Sequence, residues 1–444
     1  MTKSPGLDLA VLWSTRHRVA WDIRLFYLLL LILPIQLGQH FWPEFAYIWG
    51  LRIDYLSPTI YLTDLAILLI TAWAVMGNNF KNLQHIVGFR IILLFLVWSI
   101  LGALLSGTGA SWIKVVKLFE LFGLTLFVSC NWQRIDLRMA LVLFVAGAVL
   151  QSFLAWGQFL TQSSFNLWIL GERTFNPSTP GISLVNLNGV QLLRPYGTFP
   201  HPNVLAGFLT WCLIIMLGFA KHIRLQTAAV RWTYFATVGL LLSTVFISFS
   251  RSAWVVLAIL VTVLVLWQKP ARLFARVDKT KLITTFLATL IIIWMTWPVI
   301  FDRFLSITTT DTHSLILRQK LNAAALAIIS HSPIIGIGPA NFLYLLPQNF
   351  PLQETIRWMQ PVHNIFLLIA TEHGMVGLLM ILGLLTMAFK NIIQFPARAK
   401  QQIVFLAMSG LVLLGLFDHY LWTLQQGQLM FFISLGLALS SDKS

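Results

Sequence analysis

Cysteine and charged residues are both scarce in this 444-residue chain. Cys130 and Cys212 both lie inside apolar runs, so the sequence supports neither a disulfide framework nor a cysteine-based zinc site. Charged residues make up 10% of the chain and hydrophobic residues 58%, a balance that soluble globular domains do not have. The sequence therefore predicts an integral membrane protein.

Acidic residues are the scarcer of the charged residues. The chain has 15 Asp and Glu against 30 Lys and Arg, which gives a formal net charge of +15. In a membrane protein this excess indicates cytoplasmic loops and anionic lipid head groups, so we expect membrane lipids and no nucleic acid as partners. Lys and Arg concentrate in the set of alternate loops that includes both chain ends, which predicts that both termini are cytoplasmic.

Long apolar runs recur along the whole chain. The first, LFYLLLLILPIQLG, lacks a small-residue cleavage site, so we expect a retained helix and not a signal peptide. Runs lie at roughly 25–40, 58–76, 90–106, 111–130, 138–160, 203–220, 232–249, 252–267, 282–300, 364–389, 402–419 and 424–440. At about 20 residues per span, they predict an all-α polytopic membrane protein with about 12 transmembrane helices, folded as a single membrane domain over residues 1–444.

Two long segments lie on the side opposite the termini. They cover residues 161–202 and 301–362. Loops of this length are often functional, and neither shows an obvious strand pattern. The second contains an amphipathic stretch at 314–330, with Asp311 or Thr312 as the expected cap and Pro333 as the expected stop. We expect this helix to lie along the outer membrane face.

Four polar residues are predicted to reach one layer on that outer side. They are Arg194, which opens RPYGTFPHPN (194–203), Arg251 in SFSRSAW, Arg318 on the amphipathic stretch, and His363 at the start of HNIFLLIATEHGMVGLL. Converging guanidinium groups indicate an anionic ligand, because arginine makes bidentate contacts with phosphate. A histidine at a helix N-terminus favours its neutral form and can take a proton from a hydroxyl. The set indicates attack of an alcohol on a carbon whose leaving group is a phosphate.

The decapeptide 194–203 is predicted to form a rigid lip. Its three prolines stiffen an extended backbone, Gly197 allows a turn, and Asn203 stands where an N-cap is expected. The lip would aim Arg194 at the site. His201 is either a rival base or a structural loop residue.

Several charges fall inside the apolar runs. Lys114, Lys117 and Glu120 share one helix face, and Asp64 lies at a similar depth in the second run. Buried charges in membranes usually pair or serve a function. We expect a structural pair between Asp64 and Lys117, with a donor-phosphate role for Lys114 as the second interpretation.

Three acidic or histidine residues near the C-terminus have separate interpretations. Regular helical rotation turns Glu372 away from His363, and it is expected to bond another helix where Gly374 and Gly377 permit close approach. His373 is expected to be incidental. Asp418 is a candidate orienting partner for His363.

Four motifs in order carry a resemblance to a known family. They are RPYGTFPHPN, SRSAW, LRQKLNAAALAIISHSPIIGIGPANF and HNIFLLIATEHGMVGLL. With them the chain resembles the superfamily of O-antigen ligases and O-antigen polymerases, which are bacterial membrane glycosyltransferases. The shared core would cover residues 190–390.

The resemblance implies an enzyme of lipopolysaccharide biosynthesis in the bacterial inner membrane. It implies transfer of a glycan from an undecaprenyl-pyrophosphate carrier to an acceptor hydroxyl at the periplasmic face, with no metal and no cofactor. His363 would be the base, and Arg251, Arg318 and Arg194 would bind the pyrophosphate. His201, Asn203 and Asp418 would support them. The acceptor would be lipid A core, another glycan or a protein.

Two alternatives remain open from the sequence. A polysaccharide polymerase of the same superfamily would use the same donor and a different acceptor. A transporter for a lipid-linked or anionic solute belongs to a different class, and its signature would be symmetric repeats with interrupted helices. Neither feature is clear in the sequence.

Overall fold

The computed structural model describes residues 20–80, 83–187, 189–220, 227–268, 309–349, 359–394 and 398–440. This part of the chain is mostly helical. The helices are α1 (Trp21–Ile32), α2 (Leu62–Met76), α3 (Phe89–Ser106), α4 (Gly109–Asn131), α5 (Leu137–Thr161), α6 (Pro202–Phe219), α7 (Ala228–Ile247), α8 (Arg251–Gln268), α9 (Thr309–His331), α10 (Phe342–Asn349), α11 (Ile365–Ile393), α12 (Arg398–Gly415), α13 (Tyr420–Thr423) and α14 (Gln425–Leu439). The short strands are β1 (Gly38–His40), β2 (Tyr47–Ile48), β3 (Leu51–Arg52), β4 (Thr59–Tyr61), β5 (Leu184–Leu187) and β6 (Val190–Leu193).

The helices follow the apolar runs of the sequence. Each predicted run outside 282–300 contains a helix, and 282–300 lies outside the described residues. By length and composition α3, α5, α6, α7 and α11 can cross a membrane. The mostly helical membrane class is confirmed. The total of about twelve spans, the periplasmic placement of the long segments and the domain limits stay predictions.

Helices α4 and α14 pack closely against each other. A side chain at Gly436 would meet the Thr125 carbonyl at 2.7 Å, so this glycine lets the two backbones approach. Thr125 Oγ1 donates to the Phe432 carbonyl at 2.9 Å, and Ser129 Oγ donates to the Gly436 carbonyl at 2.8 Å. Helix α4 carries the charged residues Lys114, Lys117 and Glu120. Helix α14 follows α13, which comes directly after the loop that contains Asp418.

Helix α9 covers the predicted amphipathic stretch. It begins at Thr309, so Asp311 and Thr312 lie inside the helix and are not its cap, while its end at His331 agrees with Pro333 as the stop. Its buried stripe is Leu321, Ala324, Ala325 and Ile328. This stripe has helical spacing, and the helix packs on α11.

Helix α11 (Ile365–Ile393) is interrupted at Gly374, in its first half. Gly374 has a φ of 68°, outside the helical region, and the segment 333–338 docks against the break. The amides of Ile337 and Gly338 donate to the carbonyls of Thr371 and Glu372, each at 3.0 Å. A side chain at Gly374 would lie 2.0 Å from the Ile334 carbonyl, so the contact requires glycine.

Short strands occur between α1 and α2 and again between α5 and α6. β1 pairs with β4 and β2 with β3 within residues 38–61, and β5 pairs with β6 inside the long segment 161–202. The expectation that this segment has no strands is wrong. The sequence pair Asn188–Gly189 between two apolar stretches is a hairpin signal that identifies β5 and β6.

Candidate functional site

A buried carboxylate, Asp418, lies in the short loop between α12 and α13. Its Oδ2 accepts a hydrogen bond from Asn203 Nδ2 at 3.0 Å, and its Oδ1 accepts from the His419 amide at 2.8 Å. Burial favours its neutral form, but the nearby His363, His419 and Arg318 outweigh burial and hold the pKa of Asp418 well below its usual range. Asp418 therefore carries a fixed negative charge.

His363 and His419 stand beside this carboxylate. Their ring centroids are 5.0 Å apart with the planes at 79°, and one ligand atom from each histidine and from Asp418 all lie within 4.8 Å of one another. Nδ1 of His363 is buried and makes no hydrogen bond with the described residues. Burial lowers the pKa of His363 to about 3, against the opposing effect of Asp418. Burial also lowers the pKa of His419.

The same three side chains could hold a metal ion. Two imidazoles and a carboxylate are ligands that zinc and similar ions accept. Their pKa values leave both imidazoles neutral and the carboxylate charged at neutral pH, which suits ligation as well as proton transfer. Metal independence of this site stays a prediction.

Arg194 lies inside the protein. It is 7% exposed, and its guanidinium donates to the Ser248 carbonyl, Ser183 Oγ and Asn203 Oδ1 at 2.8, 2.9 and 2.8 Å. These three donors are directed at protein acceptors, and a contact of Arg194 with a pyrophosphate stays a prediction. Through Asn203 it supports Asp418.

The decapeptide is buried more deeply than the predicted lip. Gly197 has a φ of 57°, so the predicted turn is confirmed. His201, not Asn203, is the N-cap of α6, and its Nδ1 accepts from the Asn203 amide at 3.1 Å. The N-cap prediction for Asn203 is wrong because Pro202 occupies the first helical position, which places the cap at His201. Burial lowers the pKa of His201 to about 3.

The other two predicted arginines have different positions. Arg318 Nη1 donates to the Phe417 carbonyl at 2.9 Å, next to Asp418, and its charge acts on His363 and His419. Arg251 is the first residue of α8, after a tight turn in which Phe249 has a φ of 52°. The structure thus brings His363, Asp418 and Arg318 together, whereas Arg251 follows the turn that accepts the Arg194 bond.

A polar cavity of about 340 Å³ opens at this cluster. It is lined by His201, Asn203, His363, Glu372, Asp418 and His419, by Lys114 and Lys117 of α4, and by residues of the segment 38–61. His419 and the segment 38–61 were not predicted to belong to the site. For His419, its position directly after Asp418 is a sequence signal that could have predicted it. For the segment 38–61, its tyrosines are only a weak signal.

The charges of α4 are paired. Lys117 Nζ lies 2.5 Å from Asp64 and 3.0 Å from Glu120, so the predicted Asp64–Lys117 pair is confirmed. Lys114 Nζ donates to the Trp422 carbonyl and lies close to Glu372. Because each cation has an acidic neighbour, this group carries no excess positive charge for a donor phosphate.

Glu372 and His373 are neighbouring residues of α11 with different predictions and different outcomes. Glu372 lines the same cavity as His363, so the expectation that it faces away is wrong; the rotation argument assumed a helix from residue 363, but α11 begins at 365. His373 is 1% exposed and stacks on Phe95 with centroids 5.0 Å apart. It is a packing residue.

Part of the chain resembles a known protein family. Residues 235–382 match the protein-family model described as O-antigen ligase. No curated protein matches the chain. The matched region contains Arg251, Arg318 and His363, whereas Arg194, Asn203 and Asp418 lie outside it. The resemblance to the O-antigen ligase superfamily is therefore confirmed over residues 235–382, the part of the chain that the family model matches.

Proposed function

We propose that this protein is a glycosyltransferase of the ligase type, which moves a glycan from a lipid-linked pyrophosphate donor to an acceptor hydroxyl. The observation that carries the proposal is the pairing of neutral His363 with charged Asp418 at a polar cavity. The family match at residues 235–382 supports the same class of reaction.

His363 acts as the base in this reaction. Its Nδ1 is buried, so Nε2 is the nitrogen that remains for the acceptor hydroxyl. The hydroxyl oxygen forms a bond to the anomeric carbon as the bond from that carbon to the pyrophosphate oxygen breaks. The hydroxyl proton passes to His363, and the adjacent Asp418 stabilises the imidazolium.

Cationic groups balance the charge that grows on the leaving pyrophosphate. Arg318 lies beside the Asp418 loop and within electrostatic reach of His363. Arg251 is the second candidate for this role, while Arg194 acts through Asn203 to position Asp418. A bound diphosphate also raises the pKa of His363, because an anion nearby favours the imidazolium.

The donor is an undecaprenyl-pyrophosphate glycan, the protein lies in the bacterial inner membrane with both termini cytoplasmic, and the cavity faces the periplasm. The acceptor is lipid A core, another glycan or a protein. A polymerase uses the same donor chemistry, so the His363 site supports both.

The break in α11 bears on the transporter alternative. Interrupted helices in transporters leave backbone groups for the substrate. Here the segment 333–338 occupies the break with backbone hydrogen bonds from Ile337, Gly338 and Met375. These bonds favour a structural role for the break, and therefore favour the enzyme.

The test uses the purified full-length chain with a polyprenyl-pyrophosphate-linked glycan and an acceptor glycolipid. We expect His363→Gln to lower the transfer rate by about 10²-fold or more, because general-base catalysis contributes that much. His85→Gln, an exposed histidine away from the cavity, is the matched control and should keep the rate. Product is measured by mass spectrometry, and folding by thermal unfolding. A folded His363→Gln protein with a rate within about threefold of the parent's, well short of that loss, rejects the proposal.

A further inference from the structure

The cavity at His363 continues to a wall that the proposed reaction does not use. This wall comes from the segment 38–61 and from Arg173 in the following long segment. Within it, Asp54 and Tyr55 are neighbours in a short 3-10 helix at 54–56. The total volume of about 340 Å³ lies in the range of pockets that hold small molecules.

Tyr55 connects the wall to the catalytic cluster. Its ring meets the His419 ring edge-on, with centroids 5.4 Å apart and planes at 80°. Its hydroxyl has no hydrogen-bond partner within the described chain. Burial, with the charges of Asp418 and Asp54, raises the pKa of Tyr55. The phenol therefore stays protonated and can donate a hydrogen bond to a ligand in the cavity.

Asp54 and Arg173 supply groups of opposite charge beside this phenol. The Asp54 side chain is exposed and makes no ion pair or hydrogen bond with the residues described. Arg173 is exposed too, and of its guanidinium donors Nη2 binds the Pro200 carbonyl at 2.8 Å. Both charges act on Tyr55, so the three groups lie near one another.

This combination suits a sugar ring better than a diphosphate. A carboxylate accepts hydrogen bonds from neighbouring hydroxyls, and a guanidinium and a phenol donate to ring or hydroxyl oxygens. The Asp54 carboxylate would repel a diphosphate, whereas a neutral polyhydroxylated ring satisfies groups of both signs. Tyr55 contacts His419, and His419 contacts His363, the proposed base, so a sugar ring bound here would lie close to His363.

We propose that Asp54, Tyr55 and Arg173 form the subsite for a pyranose ring of the acceptor, and so set which acceptor hydroxyl meets His363. The assignment to the acceptor rests on the proposed transferase function. The binding of a sugar by these three residues does not depend on that function.

The first experiment measures binding without any reaction. The full-length chain in nanodiscs is titrated with methyl glucopyranoside, galactopyranoside and mannopyranoside, followed by saturation-transfer NMR. We expect at least one to bind, and Asp54→Asn and Tyr55→Phe to weaken it about tenfold, as expected for loss of one hydrogen bond to a charged or buried group. Glu44→Gln and Tyr47→Phe, which alter the same segment away from the cavity, are the matched controls and should bind like the parent.

Inorganic pyrophosphate is the competing probe. We expect Asp54→Asn to leave pyrophosphate binding unchanged or to tighten it, because a repelling charge is removed. Absence of binding by every methyl pyranoside, equal binding by all variants, or weaker pyrophosphate binding in both Asp54→Asn and Tyr55→Phe overturns the subsite.

The second experiment separates acceptor from donor. In the transfer assay we expect both variants to raise the acceptor KM about tenfold, with kcat and the donor KM unchanged, since the lost contacts bind the acceptor ring. A rise in the donor KM overturns the assignment. If pyranoside binding depends on Asp54 and Tyr55 but no protein transfers glycan, the subsite stands and the transferase function falls.

Discussion

Asp418 keeps its negative charge although it is buried, because the Asn203 side-chain amide, the His419 backbone N–H and the charge of Arg318 stabilise it. An unpaired carboxylate in such a place would take up a proton. The side-chain amide of Asn203 forms a bridge between two charges of opposite sign, Arg194 and Asp418. Its carbonyl accepts from Arg194, and its amide donates to Asp418.

Asn203→Asp tests this bridge. The change places a second carboxylate beside Asp418, so one of the two must bind a proton and His363 loses a fixed partner. We expect the transfer rate to fall about tenfold or more at pH 7. Asn176→Asp is the matched control, because Asn176 Oδ1 only accepts hydrogen bonds in an exposed turn and an aspartate can do the same. Equal rates for the two variants would contradict the bridging role.

The lowered pKa of His363 predicts an unusual pH–rate profile. With a pKa of about 3, the imidazole stays neutral when the pH falls from 8 to 5, so the base remains available. An ordinary histidine would be mostly protonated below pH 6. We expect kcat/KM, which reports the free enzyme, to keep its value between pH 8 and 5. A loss of activity with a midpoint near 6.5 would show that the histidine is not shielded.

At the residue scale, the sequence predicts the type of chemistry but not every participant. His363 and Asp418 both stand at helix ends on one side, so their proximity follows from topology. Arg194 opens the buried decapeptide, and two of its three acceptors, Ser183 and Ser248, come from other segments that no local pattern connects to it. His419 and Tyr55 meet for the same reason, through packing of distant loops.

At the scale of secondary-structure elements, the main feature is the contact between the break in α11 and the segment 333–338. The segment 333–338 lies so close to the break that side chains are excluded at both Gly336 and Gly374. His363 lies two residues before α11, and the docked segment follows α9, which carries Arg318, so this contact joins the two elements that position these residues.

Gly374→Ala tests the contact. The new side chain would lie 2.0 Å from the Ile334 carbonyl in a backbone conformation that alanine disfavours, so we expect a loss of about 2 kcal/mol or more in stability. Gly383→Ala in the same helix is the control: its side chain would meet the nearest atom, Ile91 Cδ1, at 3.7 Å, and alanine favours the helix. Thermal unfolding of both variants decides the matter, and equal unfolding temperatures would contradict the tight contact.

Elements of different length were predictable to different degrees. The long helices follow from uninterrupted apolar runs, which need no tertiary information. Strands β2 and β3 have two residues each, too few for an alternating pattern. The break in α11 depends on the approach of Gly336 to Gly374, and a helical pattern of apolar residues continues across it.

On the scale of the whole molecule, three histidines that line the cavity make stability depend on pH. His201, His363 and His419 all have pKa values below their usual 6.5 in the folded protein. Between the folded and unfolded pKa values, the unfolded chain binds more protons than the folded protein. Stability is therefore lost as the pH falls below 6.5, by up to about 1.4 kcal/mol per pH unit for each histidine.

We expect a lower unfolding temperature at pH 5 than at pH 7, measured by intrinsic fluorescence in detergent. His201→Asn removes one titrating group and keeps a good N-cap, so its unfolding temperature should fall less. His85→Asn changes an exposed histidine and should behave like the parent. An unfolding temperature that ignores pH, or the same fall in His201→Asn, would contradict the assignment.

The Asp418 hydrogen bond joins residues that are far apart in the sequence, and it has a consequence for engineering. Asn203 precedes the matched region 235–382, and Asp418 follows it. Transplanting residues 235–382 into a hybrid would carry the imidazole without its counter-ion. A portable catalytic unit must instead extend from the hairpin before the decapeptide to the last helix.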